Sequence, residues 1–578
     1  MSSMKKEDNE HEKKSEGFWE SDEFLCQRLQ EQEVFTSKKG SLAMEQPCLK
    51  RRRKVSGTHH DAPLAPHPMF IDHVVEKVLD YSSDMMTSVK QFRLVCKKWN
   101  YIATKKYRTT YGRICFENDF NRKTSKFIQV MQNCSDMLFD KFKFSGGFVV
   151  YKPYQGHYGF DKIFNELFRI CVPWMKTLEF SSHNPSDLKF PKNIRRYDLS
   201  NVSTISFHIC VFYNNLQEEM VDYLAGLLDI STNLKTCDFR LVSADPSMQS
   251  DDQIKIMQKF GTVIATKISK TCKHLKLNML INDNVITLLE GRELQLESLI
   301  IDFQKIGMST KVIESFLKSQ SKSLQNLEFI EAPFQAGMEL PELRHLSFLK
   351  VEGKPKIPSF KFERALPKLK SVEILFYWIY QDEDWLKNVL VDQGQSQSVV
   401  DVEFLCEINE KDLFILHRIT KCFPKLKRLS VVLNTPTALS ILFCEMTFLE
   451  DLEISFCREF WGYRGPDRMG KVDAAFCGLP ADLCIRLLRQ CDFSSTEIPE
   501  TMCREPSIRD LTQLQKLKIR GYRADQIPLT DVTVHFGLLK MKKLTHLILD
   551  IFPISKQCLM ILGQHVKLQL LPGPPTLS

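Results

Sequence analysis

From residue 173 onward the chain repeats a short pattern of apolar and polar positions, apolar-x-x-apolar-x-apolar. It runs Met175-Lys-Thr-Leu178-Glu-Phe180, Ile194-Arg-Arg-Tyr197-Asp-Leu199, Leu234-Lys-Thr-Cys237-Asp-Phe239, Cys272-Lys-His-Leu275-Lys-Leu277 and Leu296-Glu-Ser-Leu299-Ile-Ile301. It continues as Leu324-Gln-Asn-Leu327-Glu-Phe329, Leu343-Arg-His-Leu346-Ser-Phe348, Leu369-Lys-Ser-Val372-Glu-Ile374 and Val399-Val-Asp-Val402-Glu-Phe404. Leu426-Lys-Arg-Leu429-Ser-Val431, Leu449-Glu-Asp-Leu452-Glu-Ile454, Leu514-Gln-Lys-Leu517-Lys-Ile519 and Leu544-Thr-His-Leu547-Ile-Leu549 complete the series. The alternation closing each unit predicts a short strand with one face inward. Segments between units, such as residues 412–419, have helical apolar spacing. A strand–helix pair cannot bury its own apolar face, so the expected fold is α/β, a curved solenoid of stacked repeats over residues 174–570. Three wide gaps, after Tyr197, Cys237 and Leu452, predict degenerate repeats or insertions.

A second pattern lies upstream, in Met69–Tyr107. Phe70, Val74, Val75, Val78 and Leu79 recur at helical spacing, and so do Phe92, Val95, Cys96 and Trp99, with Val89, Leu94 and Ile102 beside them. Ser82-Ser83-Asp84 between the two halves has helix-capping chemistry. About forty residues cannot bury this much apolar surface alone. The helices therefore either cap the following repeats or dock into a partner, with about 1.5–3 kcal/mol gained per buried side chain. Residues 111–173 are poorly periodic and read as a connector or degenerate repeats.

The upstream stretch resembles an F-box. Phe92-Arg93-Leu94-Val95-Cys96-Lys97-Lys98-Trp99 matches that family's L-R-L-V-C-K-x-W run. The first half, Phe70-Ile71-Asp72-His73-Val74-Val75-Glu76-Lys77-Val78-Leu79, keeps the apolar pattern of L-P-x-E-L-L-x-x-I-L. Ile71 and His73 stand where the family has Pro and Glu, and Ser82 where it has Leu. The downstream units resemble leucine-rich repeats of the kind paired with F-boxes, although few carry the Asn that turns the chain after the strand. Together these resemblances imply an all-helical F-box over residues 67–110 and a substrate receptor of an SCF-type ubiquitin ligase. Phe70, Ile71, Val74, Val75, Val78, Leu79, Leu94, Val95, Cys96 and Trp99 would meet a Skp-type adaptor, joined in turn to cullin and RING subunits. The repeats would hold the protein to be ubiquitinated. The protein would supply no bond-making group, and act by raising the substrate's effective concentration near a charged enzyme. A repeat scaffold outside any ligase, its helices merely capping the solenoid, is the other reading.

Composition narrows this picture a little. The 578 residues are 43% hydrophobic and 26% charged, with a net charge of +8, which fits a largely globular chain without a nucleic-acid-binding signature. Residues 1–66 are polar, charge-dense and read as a disordered tail. Within it Lys50, Arg51, Arg52, Arg53 and Lys54 resemble a monopartite nuclear import signal, with a solvated charge run as the plain alternative. No apolar signal core or membrane-length run occurs, and the 18 cysteines suggest reduced thiols in nucleus or cytoplasm.

Catalytic motifs are missing: no G-x-x-x-x-G-K-[ST], G-x-G-x-x-G, H-E-x-x-H, G-x-S-x-G or C-x-x-C is present. Neither cofactor nor metal is expected. Cys477, Cys484 and Cys491 recur every seven residues and read as core-facing. On the repeat strands the x positions point away from the core. That nominates Lys427, Arg428 and Ser430, then Glu450, Asp451 and Glu453, then Lys516 and Lys518 as an alternating charged face for a protein substrate. Trp461, Tyr463 and Arg464, in an aromatic and basic insertion after one strand, are residue types that dominate interfaces.

Overall fold

The computed structural model describes residues 99–105, 113–116, 139–146, 160–182, 193–211, 218–243, 250–303, 308–331, 339–353, 360–375, 393–456, 466–489, 505–521, 529–549 and 554–570, with a few short stretches between them. The tail 1–66 with Lys50–Lys54, the stretch from Phe70 to Cys96, and Trp461, Tyr463 and Arg464 lie outside the described residues. Two compact units are present, Met1–Ile256 and Met257–Ser578.

The first unit holds five strands, β1 (Arg113–Phe116), β2 (Lys141–Gly146), β3 (Thr177–Ser182), β4 (Thr204–Val211) and β5 (Thr236–Ser243). Each runs parallel to the next. Parallel neighbours need long crossovers, and the helices α1 (Phe160–Cys171) and α2 (Glu218–Ile230) supply two of them. Alternation sends one residue in two to the core. The cross-strand register then aligns Phe116, Phe144, Phe180, Phe207 and Phe239 in one buried row. Their rings follow one another at 5.3, 5.5 and 6.0 Å from Phe116 to Phe207. β1 and β2 thus lie inside the poorly periodic segment 111–173, and β2 pairs directly with β3. The unit Ile194–Leu199 is not a strand. Asn193 turns the chain at φ 60°, Ile194–Arg196 is a 3₁₀ turn, and the strand begins ten residues later at Thr204.

In the second unit eleven strands follow the same plan: β6 (His274–Asn278), β7 (Ser298–Asp302), β8 (Asn326–Ile330), β9 (Phe348–Glu352), β10 (Ser371–Leu375), β11 (Asp401–Ile408), β12 (Arg428–Leu433), β13 (Asp451–Phe456), β14 (Lys516–Gly521), β15 (His546–Leu549) and β16 (Lys567–Leu570). All are parallel to their neighbours. Helices α3 (Asp251–Lys267), α4 (Asp283–Gly291), α5 (Thr310–Ser319), α6 (Phe362–Ala365), α7 (Phe414–Cys422), α8 (Pro436–Glu445), α9 (Pro466–Cys477), α10 (Ala481–Leu488), α11 (Asp531–Phe536) and α12 (Lys556–His565) occupy the connections. Several start on side-chain caps: Asn282 accepts from Val285 N, Thr435 from Thr437 N, and Ser555 from Cys558 N.

A backbone device sets the strand starts. In most repeats the carbonyl just before a strand accepts two amides from the next repeat: Val400 O from Lys427 and Arg428, Lys427 O from Glu450 and Asp451, Glu450 O from Gln515 and Lys516. This ladder pairs repeats without the missing Asn. It also corrects a register: Gln325 O receives Ser347 and Phe348, so Leu349, not Leu346, stands beside Leu327. The long gap after Leu452 holds no hidden repeat, because Leu452 pairs directly with Leu517; it is one insertion carrying α9 and α10.

Candidate interaction face

Half of each strand's side chains are not inward. On β8–β13 this outward set comprises eight carboxylates, Glu328, Glu352, Glu373, Asp401, Glu403, Glu407, Asp451 and Glu453, against two cations, Lys350 and Arg428. β14 adds Lys516, Lys518 and Arg520 beside them. Of the sequence-nominated residues, Arg428, Ser430, Asp451, Glu453, Lys516 and Lys518 occupy outward positions of β12–β14, while Lys427 and Glu450 precede β12 and β13. Arg428, Asp451 and Lys516 form one cross-strand row, and Ser430, Glu453 and Lys518 the next.

Their alternating signs are used largely among themselves. Lys427 Nζ meets Glu450 Oε1 at 2.7 Å, Arg428 meets Asp401 at 2.6 Å, and Lys516 approaches Asp451 at 3.9 Å. Glu453 takes both Lys518 at 3.1 Å and Arg520 at 3.0 Å. Lys350 turns to Glu352 at 3.0 Å. Glu407 also has a partner; what remains are Glu328, Glu373 and Glu403, which have no ion pair among the described residues and were not singled out from the sequence. Their signal was available, since Glu373 sits between inward Val372 and Ile374, and Glu403 between Val402 and Phe404. Partial burial pushes the Glu373 carboxyl above its ordinary range, and nearby Glu403 adds to this. Burial raises Glu403 likewise, with Glu453 and Asp401 adding to it. Like charges held together at partial burial disfavour the ionised form.

The described outward face of the first unit carries four cations, Arg113, Lys141, Lys143 and Arg240, against two carboxylates, Glu179 and Asp238. Glu179 binds Arg113 at 2.6 Å and Lys143 at 2.9 Å. Burial works to raise Asp238, but contacts from His208 at 3.1 Å and Arg240 at 2.7 Å bring it down to about 2.

Of the upstream candidates, Trp99 alone is described. It lies in the described helical segment 99–105, where Trp99 is 6% exposed and Ile102 and Ala103 are buried, while Tyr101 is 68% exposed. The Trp99 ring is therefore packed inside this chain. A cleft of about 590 Å³ opens between the end of α8 and the insertion's last segment, lined by Phe443, Cys444, Pro506 and Arg509 among others. No group of three or more His, Cys, Asp or Glu among the described residues could hold a metal ion, and no helix of the described residues is long and apolar enough to cross a membrane. Every described cysteine is a free thiol. Cys477 closes α9 while Cys484 lies in α10, so their spacing does not belong to a single helix; both are buried in one apolar cluster with Leu479, Leu487 and Val532.

No protein-family model matches the chain, and neither does any curated protein. Among solved structures, it is similar to a chain in the crystal structure of the Rad7 and Elc1 complex in yeast, at 12% identity over 87% of this chain and 96% of that one, with a TM-score of 0.27. A likeness at that level carries no argument about fold or function.

Proposed function

We propose that this protein is a substrate receptor of an SCF-type ubiquitin ligase, an F-box followed by leucine-rich repeats. The observation that carries the reading is the run Phe92–Trp99, matching L-R-L-V-C-K-x-W, placed directly ahead of a parallel strand–helix array. Trp99 anchors the last F-box helix in the chain's own packing, and Val74, Val78, Leu79 and Val95 supply the apolar contacts to the Skp-type adaptor. Cullin and RING subunits then join through that adaptor. The outward face of β8–β14 receives the substrate. Its unpaired carboxylates Glu328, Glu373 and Glu403 favour a segment rich in Lys or Arg, since charge complementarity steers and registers such contacts. The Lys50–Lys54 run serves nuclear import. The chain contributes no catalytic group of its own.

Burial of Trp99 and Ile102 against this chain also suits a second reading, in which Met69–Tyr107 only caps a repeat scaffold. A pull-down with the purified adaptor decides between them. Wild type is expected to bind and a Val78→Asp variant to lose at least tenfold in affinity while keeping its far-ultraviolet circular dichroism and melting temperature. Equal failure of two folded proteins to bind would leave the cap as the reading.

A further inference from the structure

The insertion between β13 and β14 is attached to the next repeat in an unusual way. Its helix α9 buries Asp473 completely, at 0% exposure. Asp473 Oδ2 accepts from Thr530 Oγ1 at 2.8 Å, and Oδ1 accepts from Thr533 Oγ1 at 2.5 Å and from Thr530 N at 3.3 Å. Thr530 is also the N-cap of α11, its hydroxyl oxygen accepting from Val532 N at 3.1 Å. One carboxylate thus ties the insertion's first helix to the start of the helix that follows β14. The same seam is otherwise apolar, apart from Cys477 Sγ reaching Val532 O at 3.5 Å.

Among the described residues no cation bonds to this carboxylate. The titratable or charged groups described on the elements around it are Cys444 and Glu445 on α8, Lys471 and Cys477 on α9, Asp482, Cys484 and Arg486 on α10, Arg509 and Asp510 on the turn 508–510, and Asp531 and His535 on α11. Arg509, on the turn 508–510, directs its guanidinium to Cys477 O at 2.9 Å and Ser507 Oγ at 3.3 Å. The bonds to Asp473 come from hydroxyls and backbone amides of Thr530 and Thr533, and a hydroxyl can serve a protonated or an ionised carboxyl. A buried charge without a counter-ion is disfavoured against its neutral form.

We propose that Asp473 is a pH-responsive latch, which seats the α9–α10 insertion on the α11 repeat tightly when protonated and loosens it when ionised. Burial supports the direction, pushing Asp473 up to about 6 in spite of its hydrogen bonds to Thr533 and Thr530. The folded value lies above the ordinary 3.8, so the proton is held more tightly in the seated state. Seating is then strongest below about pH 4 and weakens as pH rises through 6, levelling off above it. The shift corresponds to a change on the order of 100-fold in the seating equilibrium. The latch stands apart from the ligase reading and holds whether or not the adaptor binds.

Hydrogen exchange on the full-length chain tests it, with rates corrected for the intrinsic effect of pH. Protection of α9, α10 and α11, taken relative to β8–β12 as an internal reference, is expected to fall about 30-fold between pH 4.5 and 7.5, with the midpoint of the whole fall near 5 and a plateau above 6. Asp473→Asn keeps the shape and removes the titration, so its relative protection should be flat. A pH-independent ratio in wild type, or an unchanged pH response in Asp473→Asn, overturns the latch. Should that variant not fold, Thr533→Val decides. Removing one donor to the carboxylate is expected to move the wild-type midpoint upward, and a midpoint that stays put also overturns it.

Discussion

In the first unit the second inward position of every strand is phenylalanine: Phe116, Phe144, Phe180, Phe207 and Phe239. At the same position the second unit is mainly aliphatic, with Leu277, Ile301, Val351, Ile374, Val431, Ile454, Ile519 and Leu549 and with phenylalanine at 329 and 404. Outward, the first unit pairs both of its carboxylates, Glu179 with Arg113 and Lys143 and Asp238 with Arg240, whereas the second leaves Glu328, Glu373 and Glu403 without an ion pair among the described residues. One backbone plan therefore tolerates two fillings. Stacked rings offer large buried areas and favourable quadrupole contacts but demand a fixed geometry. Branched aliphatic residues suit the pleat and adapt to repeats of differing length. The charge difference belongs to the surface, and the fold does not require it.

The comparison breaks most readily at the inner rows. Phe144 lies 5.3 Å from Phe116, 5.5 Å from Phe180 and 6.0 Å from Phe168. Phe144→Ala is expected to remove about 3–5 kcal/mol, and Leu429→Ala in β12 about 2–5 kcal/mol. Because each repeat contacts only its neighbours, the loss should stay local. Urea titrations followed by hydrogen exchange would show β1–β3 opening in the first variant and β11–β13 in the second. Equal loss in both units from either substitution would mean that they unfold as one, and the contrast in filling would then have no separate energetic consequence.

A smaller effect is expected at the insertion. Gly478 follows α9 at φ +70°, and a Cβ there would come 2.5 Å from Glu505 O. Gly478→Ala therefore combines left-handed strain with a backbone clash, and about 1–3 kcal/mol should be lost. Melting curves of the variant against wild type measure this. Gly563 is the control, since a Cβ there meets nothing within 4 Å inside α12. A Gly563→Ala melt that rises while Gly478→Ala falls would place the strain at the insertion joint.

How much of this was legible depended on which physics each segment uses. Strands such as β7, β8 and β10–β15 carry aliphatic residues at regular spacing, and their pattern alone located them. β1 and β2 escaped because they lie in a poorly periodic stretch broken by Gly146-Gly147, and β4 because the neighbouring Ile194–Leu199 unit mimics a strand in its place. The Ile194–Leu199 segment misled because a 3₁₀ turn burying Ile194, followed by buried Leu199, produces the same apolar-x-x-apolar-x-apolar signature as a strand. β16, with only Leu568 and Leu570 to mark it and most of its residues exposed, lacks a buried face to generate a pattern. On the face, the individual charges were visible in the sequence but their cancellation was not. Lys427 finds Glu450, and Glu453 finds both Lys518 and Arg520, only once register is known. Asp473 was overlooked because a carboxylate on a polar-looking helix is ordinarily read as solvent-facing. Its burial depends on Thr530 and Thr533, far away in sequence.

The least expected change in stability sharpens the comparison of the two faces by its sign. Glu179→Gln in the first unit removes the partner of Arg113 and Lys143, so the variant should melt lower. Glu403→Gln in the second removes a carboxylate that repels Glu453 and Asp401, so the variant should melt slightly higher at pH 7. Each change is expected to stay within about 1 kcal/mol, given the solvent screening of half-exposed charges. The pH dependence follows from the raised carboxyl at Glu403. A folded value above the ordinary 4.5 means that wild type is best favoured below pH 4.5, and loses stability as pH rises through the raised value. The advantage of Glu403→Gln should therefore vanish in acid, grow towards neutrality, and shrink again when salt shortens the range of the repulsion. Should Glu403→Gln melt below wild type at pH 7 and low salt, Glu403 is being held by a favourable contact, and the case for a face awaiting a basic segment falls with it.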